Sequence, residues 1–286
     1  ERGGVRLGNS RLGVRMQMIN DDSSLTQVAG ATVHASRSLG GAHFLLGPYG
    51  SSLSRYAIQQ AEAEGKIMMA HSSSVTEVIS LSPLVFGTLS SSRTFIGVTS
   101  RGVIAAAELC DQPDAGSVAP YSAEAAAYKE HLKRLRNPMC EDAIRARRCR
   151  TNGSCRDSLK AGFIAETSTF TQSICASGPA ILDGLDVQYE AQVRTVPAAP
   201  QCRNCPEYAA YLETMVGALE HLRDAGVTYV IGCTYFYSAR GLLDALYQME
   251  YSPLAVMVTA AVSSRLYERE LRQDWWQGQY VLEAVD

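Results

Sequence analysis

No run of apolar residues in this 286-residue chain is long enough to cross a bilayer. The longest stretches, such as Leu254 to Val262, fall well short of the roughly 18 residues a span needs, so no transmembrane segment is expected. Proline is scarce at 10 residues, tryptophan scarcer at 2, and only 19% of residues are charged. With 46% hydrophobic residues and 23 glycines, that composition excludes a disordered, collagen-like or coiled-coil chain. A dominant charge is also missing: 26 basic against 29 acidic residues leave a net charge of −3, which argues against nucleic acid bound across the whole surface. The chain has neither a starting Met nor a charged-then-apolar leader and reads as a mature or excised fragment. What remains is a globular chain about twice the usual domain size, for which two compact lobes are the expectation.

Cysteine is absent from the first 109 residues and then occurs eight times, at Cys110, Cys140, Cys149, Cys155, Cys175, Cys202, Cys205 and Cys233. An even, clustered set suits disulfides stapling one region in an oxidising compartment, although on the order of a hundred pairings satisfy the count. Zinc is the alternative, because Cys202-Arg-Asn-Cys205 has ligand-like spacing and Cys149 with Cys155 can complete four thiolates. No knuckle pattern surrounds either pair, so we expect Cys202 and Cys205 to be oxidised and to hold no metal. We also expect a bridge from the block 129–160 to the second lobe. Asn152-Gly-Ser154 is an N-glycosylation sequon. Together with the cysteines it points to an extracellular or cell-surface glycoprotein, with the periplasm as the alternative.

Strand and helix signals alternate through the first 110 residues. The run Leu12–Ile19 is expected as a strand closed by Asn20-Asp21-Asp22-Ser23. Leu25, Val28, Ala29, Thr32, Ser36 and Leu39 share one helical face stopped by Gly40-Gly41. The stretch Ala42–Gly47 reads as a buried strand, Leu53 to Ala61 as a helical face ended by Gly65, and Lys66–Ala70 as the next strand. This is βαβαβ, the pattern of a parallel sheet covered by helices. It resumes after residue 160 with strands at Gly162–Glu166, Val187–Val193, Thr228–Gly232, Leu254–Thr259 and Gln279–Val285. The helices between them are expected at Gln172–Leu182, Tyr208–Leu222, Ala239–Met249 and Arg265–Trp276. From Lys129 to Lys160 ten basic residues face four acidic ones, with three of the eight cysteines. That block reads as a disulfide-tethered surface insertion, either simply solvated or open to an anionic partner.

Gly47-Pro-Tyr-Gly-Ser-Ser52 stands between a strand and a helix, followed by Lys66-Ile-Met-Met-Ala-His-Ser-Ser-Ser-Val-Thr-Glu77, Phe86-Gly-Thr88 and the strand end Gly232-Cys-Thr-Tyr-Phe236. In this order the segments resemble the type I periplasmic-binding-protein fold, most of all the branched-chain amino acid and amide receptors, whose fold also forms receptor ectodomains. The likeness covers roughly residues 1–110 and 161–286. It implies an α/β chain of two doubly wound parallel-sheet lobes, incomplete at both ends. Lobe 1 would be residues 1–88 and lobe 2 residues 89–281, with the insertion at 111–160 and a return crossover to lobe 1 starting at 282–286.

Physics supports a ligand site in such a fold. Ligands sit beyond the carboxyl ends of parallel strands, where helix N-termini favour anionic or carbonyl oxygens. Ser51 and Ser52 are expected at one such place and Ser72, Ser73 and Ser74 at a second; the plainer reading is that these serines cap their helices. The resemblance implies that Ser51 holds a carboxylate, that Ser72 and Ser74 follow it as ligand positions, and that Phe170 and Tyr235 close over the ligand from lobe 2. Core packing is the alternative for Phe170. Amino acid binders hold the ligand ammonium with acids where this chain carries Ser92 and Thr259-Ala260-Ala261. That favours a small carboxylate, amide or neutral polar ligand, unless Glu166 or Glu283 supplies the charge.

An enzyme would need a nucleophile with a base. The five histidines, His34, His43, His71, His131 and His221, form no motif with an acid, and no Gly-x-Ser-x-Gly elbow occurs. A Ser51 and His71 hydrolase is the one enzyme that can be assembled, and it is disfavoured. No phosphate loop or Gly-x-Gly-x-x-Gly turn is present, so no cofactor is expected. The expectation is therefore a binding module for a small molecule, either the sensor ectodomain of a membrane receptor or the substrate-binding protein of an amino acid or amide transporter. In the first case a membrane receptor is its context, in the second a permease is its partner, and a homodimer is compatible with both.

Overall fold

The computed structural model describes residues 5–7, 9–89, 91–111, 157–260 and 281–283. The insertion at 112–156 with its sequon and three cysteines, the charged helix at 265–276 and most of the return crossover lie outside them. So does the expected bridge from the block 129–160. The chain divides into two compact units, Glu1–Leu89 and Ser90–Asp286.

The first unit opens with an antiparallel hairpin of β1 (Val5–Leu7) and β2 (Ser10–Leu12). The expected strand Leu12–Ile19 does not form. Residues 13–20 take no regular structure, and Val14, Met16 and Met18 are exposed. Alternating apolar residues make a strand only beside a pairing edge, and none of the described strands pairs with this stretch. Helix α1 (Val28–Arg37) follows, then β3 (Phe44–Leu46), α2 (Ser51–Ala63), β4 (Ile67–Ala70), the short α3 (Thr76–Ile79) and β5 (Val85–Gly87). Strands β3, β4 and β5 lie side by side in parallel, with Leu45 opposite Met68 and Met68 opposite Val85. The βαβαβ pattern is thus realised one strand later than its sequence signal suggests.

Apolar composition at Ala42–Gly47 also misstates burial. Leu45 is 6% exposed, while its neighbours Phe44 and Leu46 are 72% and 64% exposed. Successive strand side chains point to opposite faces. One face packs against the apolar stripe of α2, where Ala57, Ile58 and Ala61 are buried, and the other carries the exposed Phe44, Leu46, Ile67, Met69 and Phe86.

The second unit is built around a parallel sheet of β6 (Lys160–Glu166), β7 (Gln188–Tyr189), β8 (Arg194–Val196), β9 (Tyr229–Tyr235), β10 (Ala255–Ala260) and β11 (Val281–Glu283). The order is β11-β10-β9-β6-β7, with β8 also paired to β6. The strand expected at Val187–Val193 forms only at β7, and a second short strand, β8, follows just beyond it. They pair with different parts of β6, Ala161 opposite Tyr189 and Ala165 opposite Thr195, and residues 190–193 bridge the gap.

Helices cover both faces of this sheet. On one side α4 (Phe95–Asp111) and α5 (Thr169–Gly184) bury Ile96, Val103, Ile174 and Leu182 against Phe163, Tyr229, Ile231 and Met257. On the other, α6 (Pro206–Asp224) and α7 (Phe236–Gln248) bury Tyr211, Met215, Leu219, Leu222 and Leu242 against Ile164, Val230, Val256 and Val258. Each such aliphatic side chain contributes roughly 1.5–3 kcal/mol. Burial on both sides explains why β6, β9 and β10 read as nearly continuous apolar runs. Gly226, with φ +74°, ends α6 in a left-handed conformation where a side chain would be strained. Close approach explains Gly178: a Cβ there would sit 2.2 Å from Cε1 of the buried Phe163, so glycine lets α5 lie against β6. The Cys175–Cys233 disulfide bonds the same helix to β9 inside this core.

Candidate functional site

In the first unit the loop after β3 leads into α2, and the loop after β4 runs beside it. Gly47 N–H donates to the Met69 carbonyl at 2.9 Å and Gly50 N–H to the Ser72 carbonyl at 3.2 Å, which lock the two loops together at the carboxyl ends of their strands. Gly50 is the N-cap of α2 at φ +90°, a conformation glycine adopts without a Cβ penalty, and no side chain caps the helix. The first-turn N–H groups of α2 consequently have neither an intrahelical partner nor a capping side chain.

Ser51, the first residue of α2, is 2% exposed. Its hydroxyl oxygen accepts a hydrogen bond from the buried Ser73 at 3.1 Å. This arrangement leaves the Ser51 proton to be donated elsewhere. Ser52 is half-buried one position on. Capping therefore does not account for Ser51 or Ser52. Ser72, Ser73 and Ser74 do not stand at a helix start either, because α3 begins at Thr76 after the N-cap Val75, and at four residues it has no useful dipole. Ser73 and Ser74 are buried in the loop and Ser72 is half-buried. His71 is exposed, and its carbonyl accepts from Thr88 Oγ1 at 3.4 Å.

In the second unit the corresponding strand ends are those of β6 and β9. Phe170, in the first turn of α5, and Tyr235, the N-cap of α7, lie with ring centroids 5.5 Å apart and planes tilted by 32°. Phe95 meets Phe170 edge-on at 6.0 Å and extends the aromatic group. Both Phe170 and Tyr235 are half-buried, and Phe170 also packs against the core of the second unit. Beneath them Glu166 is 5% exposed, and its carboxylate accepts from Tyr235 N–H at 3.1 Å. Burial raises the phenol of nearby Tyr211 above its ordinary range, against the Ser238 side chain and helped by the Glu166 charge.

Two positions expected to replace ligand-binding acids are committed to the fold. Ser92 bonds Ser173 at 2.9 Å, and Thr259 Oγ1 accepts from Thr234 N–H and donates to its carbonyl at 2.7 Å. Phe95 and the buried state of Glu166 were not legible beforehand. The available signal was their place at the ends of apolar segments.

Among the described residues Cys202, Cys205 and Glu207 have ligand atoms within 4.8 Å of one another, the spacing of a metal site. The two sulfurs are bonded to each other, as expected, and a disulfide is not a thiolate ligand. No helix among the described residues is long and apolar enough to cross a membrane.

No family model and no curated protein matches this sequence. Solved structures do. The chain superposes on a branched-chain amino acid transporter substrate-binding protein, LivJ, from Streptococcus pneumoniae in complex with isoleucine, at TM-score 0.55 and 9% identity over 88% of this chain and 54% of that one. It superposes on the leucine-binding protein LivK of Thermotoga maritima at TM-score 0.50 and 11% identity, covering 84% and 51%. A solute-binding protein of an ABC transporter from Rhodopseudomonas palustris, in complex with 3,4-dihydroxybenzoic acid, gives TM-score 0.50 and 8% identity over 84% and 49%. The fold is that of the type I periplasmic binding proteins. The chain spans about half the length of the solved proteins it matches.

Proposed function

We propose that this chain is an extracellular ligand-binding module for a small polar ligand and that it binds without converting it. In this reading residues 1–88 are one lobe, offering Ser51, Ser52, Ser72, Ser73 and Ser74, and residues 89–281 are the other, offering Phe170 and Tyr235. The observation that carries the reading is the Ser73 to Ser51 hydrogen bond beside an uncapped first turn of α2. A buried hydroxyl with a proton to give, next to free N–H groups, suits a carboxylate or carbonyl oxygen. The aromatic pair suits the removal of water from such a ligand. Solved proteins of this fold that hold leucine, isoleucine or dihydroxybenzoate support the class of ligand.

For the setting of this module we favour the sensor ectodomain of a membrane receptor, because its disulfides and sequon suit a cell-surface glycoprotein. The substrate-binding protein of an amino acid or amide transporter is the competing assignment. The full reading frame separates them: a membrane span with a signalling domain after Asp286 supports the receptor, and an immediate stop codon supports the transporter.

Thermal-shift screening against amino acids, amides and small carboxylates tests binding itself, since a ligand raises the melting temperature by mass action. With a ligand in hand, Ser51→Ala and Ser74→Ala should each weaken binding by roughly 1–2 kcal/mol, about five- to thirtyfold in Kd. Ser51→Ala should also lower stability slightly, because Ser73 loses its acceptor. Binding equal to the parent in both variants refutes the site.

A further inference from the structure

The two disulfides described in the second unit differ in burial and in the length of chain they close. Cys175 and Cys233 are 1% and 0% exposed, inside the core. Cys202 is exposed and Cys205 half-buried, only three residues apart at the start of α6. A bridge that closes so short a loop adds little to chain stability.

Other groups already hold this loop. Arg240, 2% exposed, donates to the carbonyls of Pro200 and Gln201 at 3.3 and 3.2 Å, and its guanidinium lies 4.9 Å from the Tyr208 ring centroid. Between the cysteines, Arg203 grips Asp244 with two hydrogen bonds of 2.7 and 3.2 Å, and Tyr208 donates to the same carboxylate at 2.6 Å. Pro206 then starts a 19-residue helix anchored by the buried Tyr208 and Tyr211. The loop is thus tied to α7 on both sides of its sulfurs, and opening the bridge removes none of these ties.

We propose that Cys202–Cys205 is an exchangeable redox site that reacts with low-molecular-weight thiols. A thiolate attacks the exposed Cys202 sulfur, a new sulfur–sulfur bond forms there, and the bond to Cys205 breaks. The Cys205 sulfur leaves with the electron pair at the N-cap of α6, where the helix dipole favours negative charge. A second thiolate displaces Cys202 from the mixed disulfide. Two thiols are oxidised to one disulfide, and the pair takes up two electrons and two protons. This site is independent of the ligand-binding reading and stands or falls apart from it.

The test uses the folded, full chain titrated with reduced glutathione, quenched by alkylation and mapped by peptide mass spectrometry. Cys202–Cys205 should open on the order of tenfold or more faster than Cys175–Cys233, because access to the attacked sulfur sets the rate. The fold should persist while it opens, with the melting temperature lowered by only a few degrees. Cys205→Ser should accumulate a glutathione adduct on Cys202, and Cys202→Ser should form far less on Cys205. Three results overturn the proposal: the pair opens only together with Cys175–Cys233, its opening coincides with loss of the folded state, or the chain is isolated with the pair reduced and holding stoichiometric zinc.

Discussion

Replacing Cys175 and Cys233 together by alanine removes the bridge between α5 and β9. The residues are 58 apart in sequence. In the chain-entropy account the bridge restricts the unfolded chain by about 14 cal/mol/K, or about 4 kcal/mol at room temperature. Loss of two buried sulfurs from a packed core adds to that. The same expression applied to the separation of 3 at Cys202–Cys205 yields only about 1.6 kcal/mol. Urea unfolding followed by circular dichroism should show the contrast. With a slope of about 2 kcal/mol/M, the midpoint should fall by about 2 M for the first double variant and by less than about 1 M for the second. The slope of the first should also rise, because its unfolded chain is less restrained. Equal midpoints for the two variants, or a Cys175/Cys233 variant as stable as the parent, would refute the assignment of one bridge to the core and the other to the surface.

Gly178→Ala should destabilise by about 1–3 kcal/mol, read as a lower melting temperature, because its Cβ meets the immobile Phe163 ring. Burial raises the phenols of Tyr229, Tyr208, Tyr211 and Tyr251 above the ordinary 10.0. The unfolded chain therefore releases these protons first, so stability holds below pH 10.0 and falls as pH climbs above it; phenolate absorbance from these residues should appear only with unfolding. Calorimetric titration with leucine, alanine and glutamate beside their keto and hydroxy acid counterparts tests ligand charge. Ser92 and Thr259 are committed to internal hydrogen bonds, so the deaminated acids should bind at least as well, and tight binding of the amino acids alone would overturn this.

The second unit was largely legible because its signals are redundant. Strands β6, β9 and β10 are apolar on both faces, the intervening helices show a stripe at three-and-four spacing, and α5 and α6 end near Gly184 and Gly226, so register and burial agree. Position along β9 placed Tyr235 at a strand end, where the structure has it. Nothing in the local pattern distinguished a structural acid from a ligand-binding one at Glu166. That depends on the Tyr235 N–H, which β9 brings from 69 residues away.

The first unit was harder to read, and the reason is physical. Leu12–Ile19 alternates apolar and polar residues as a strand does, yet strand formation is decided by a partner edge that the stretch itself does not contain. The serines of the two site loops show the opposite limit. Their hydroxyls invited a capping explanation, and only the backbone shows that Gly50 and Val75 hold the cap positions. Ser51 lies inside the first turn with its oxygen already accepting from Ser73, an arrangement that helix capping does not require and that the proposed binding of an oxygen acceptor would use. A composition rich in serine can suggest such a site. In the proposed site, selectivity would arise from which hydroxyl still has a proton to donate after the fold has taken the others.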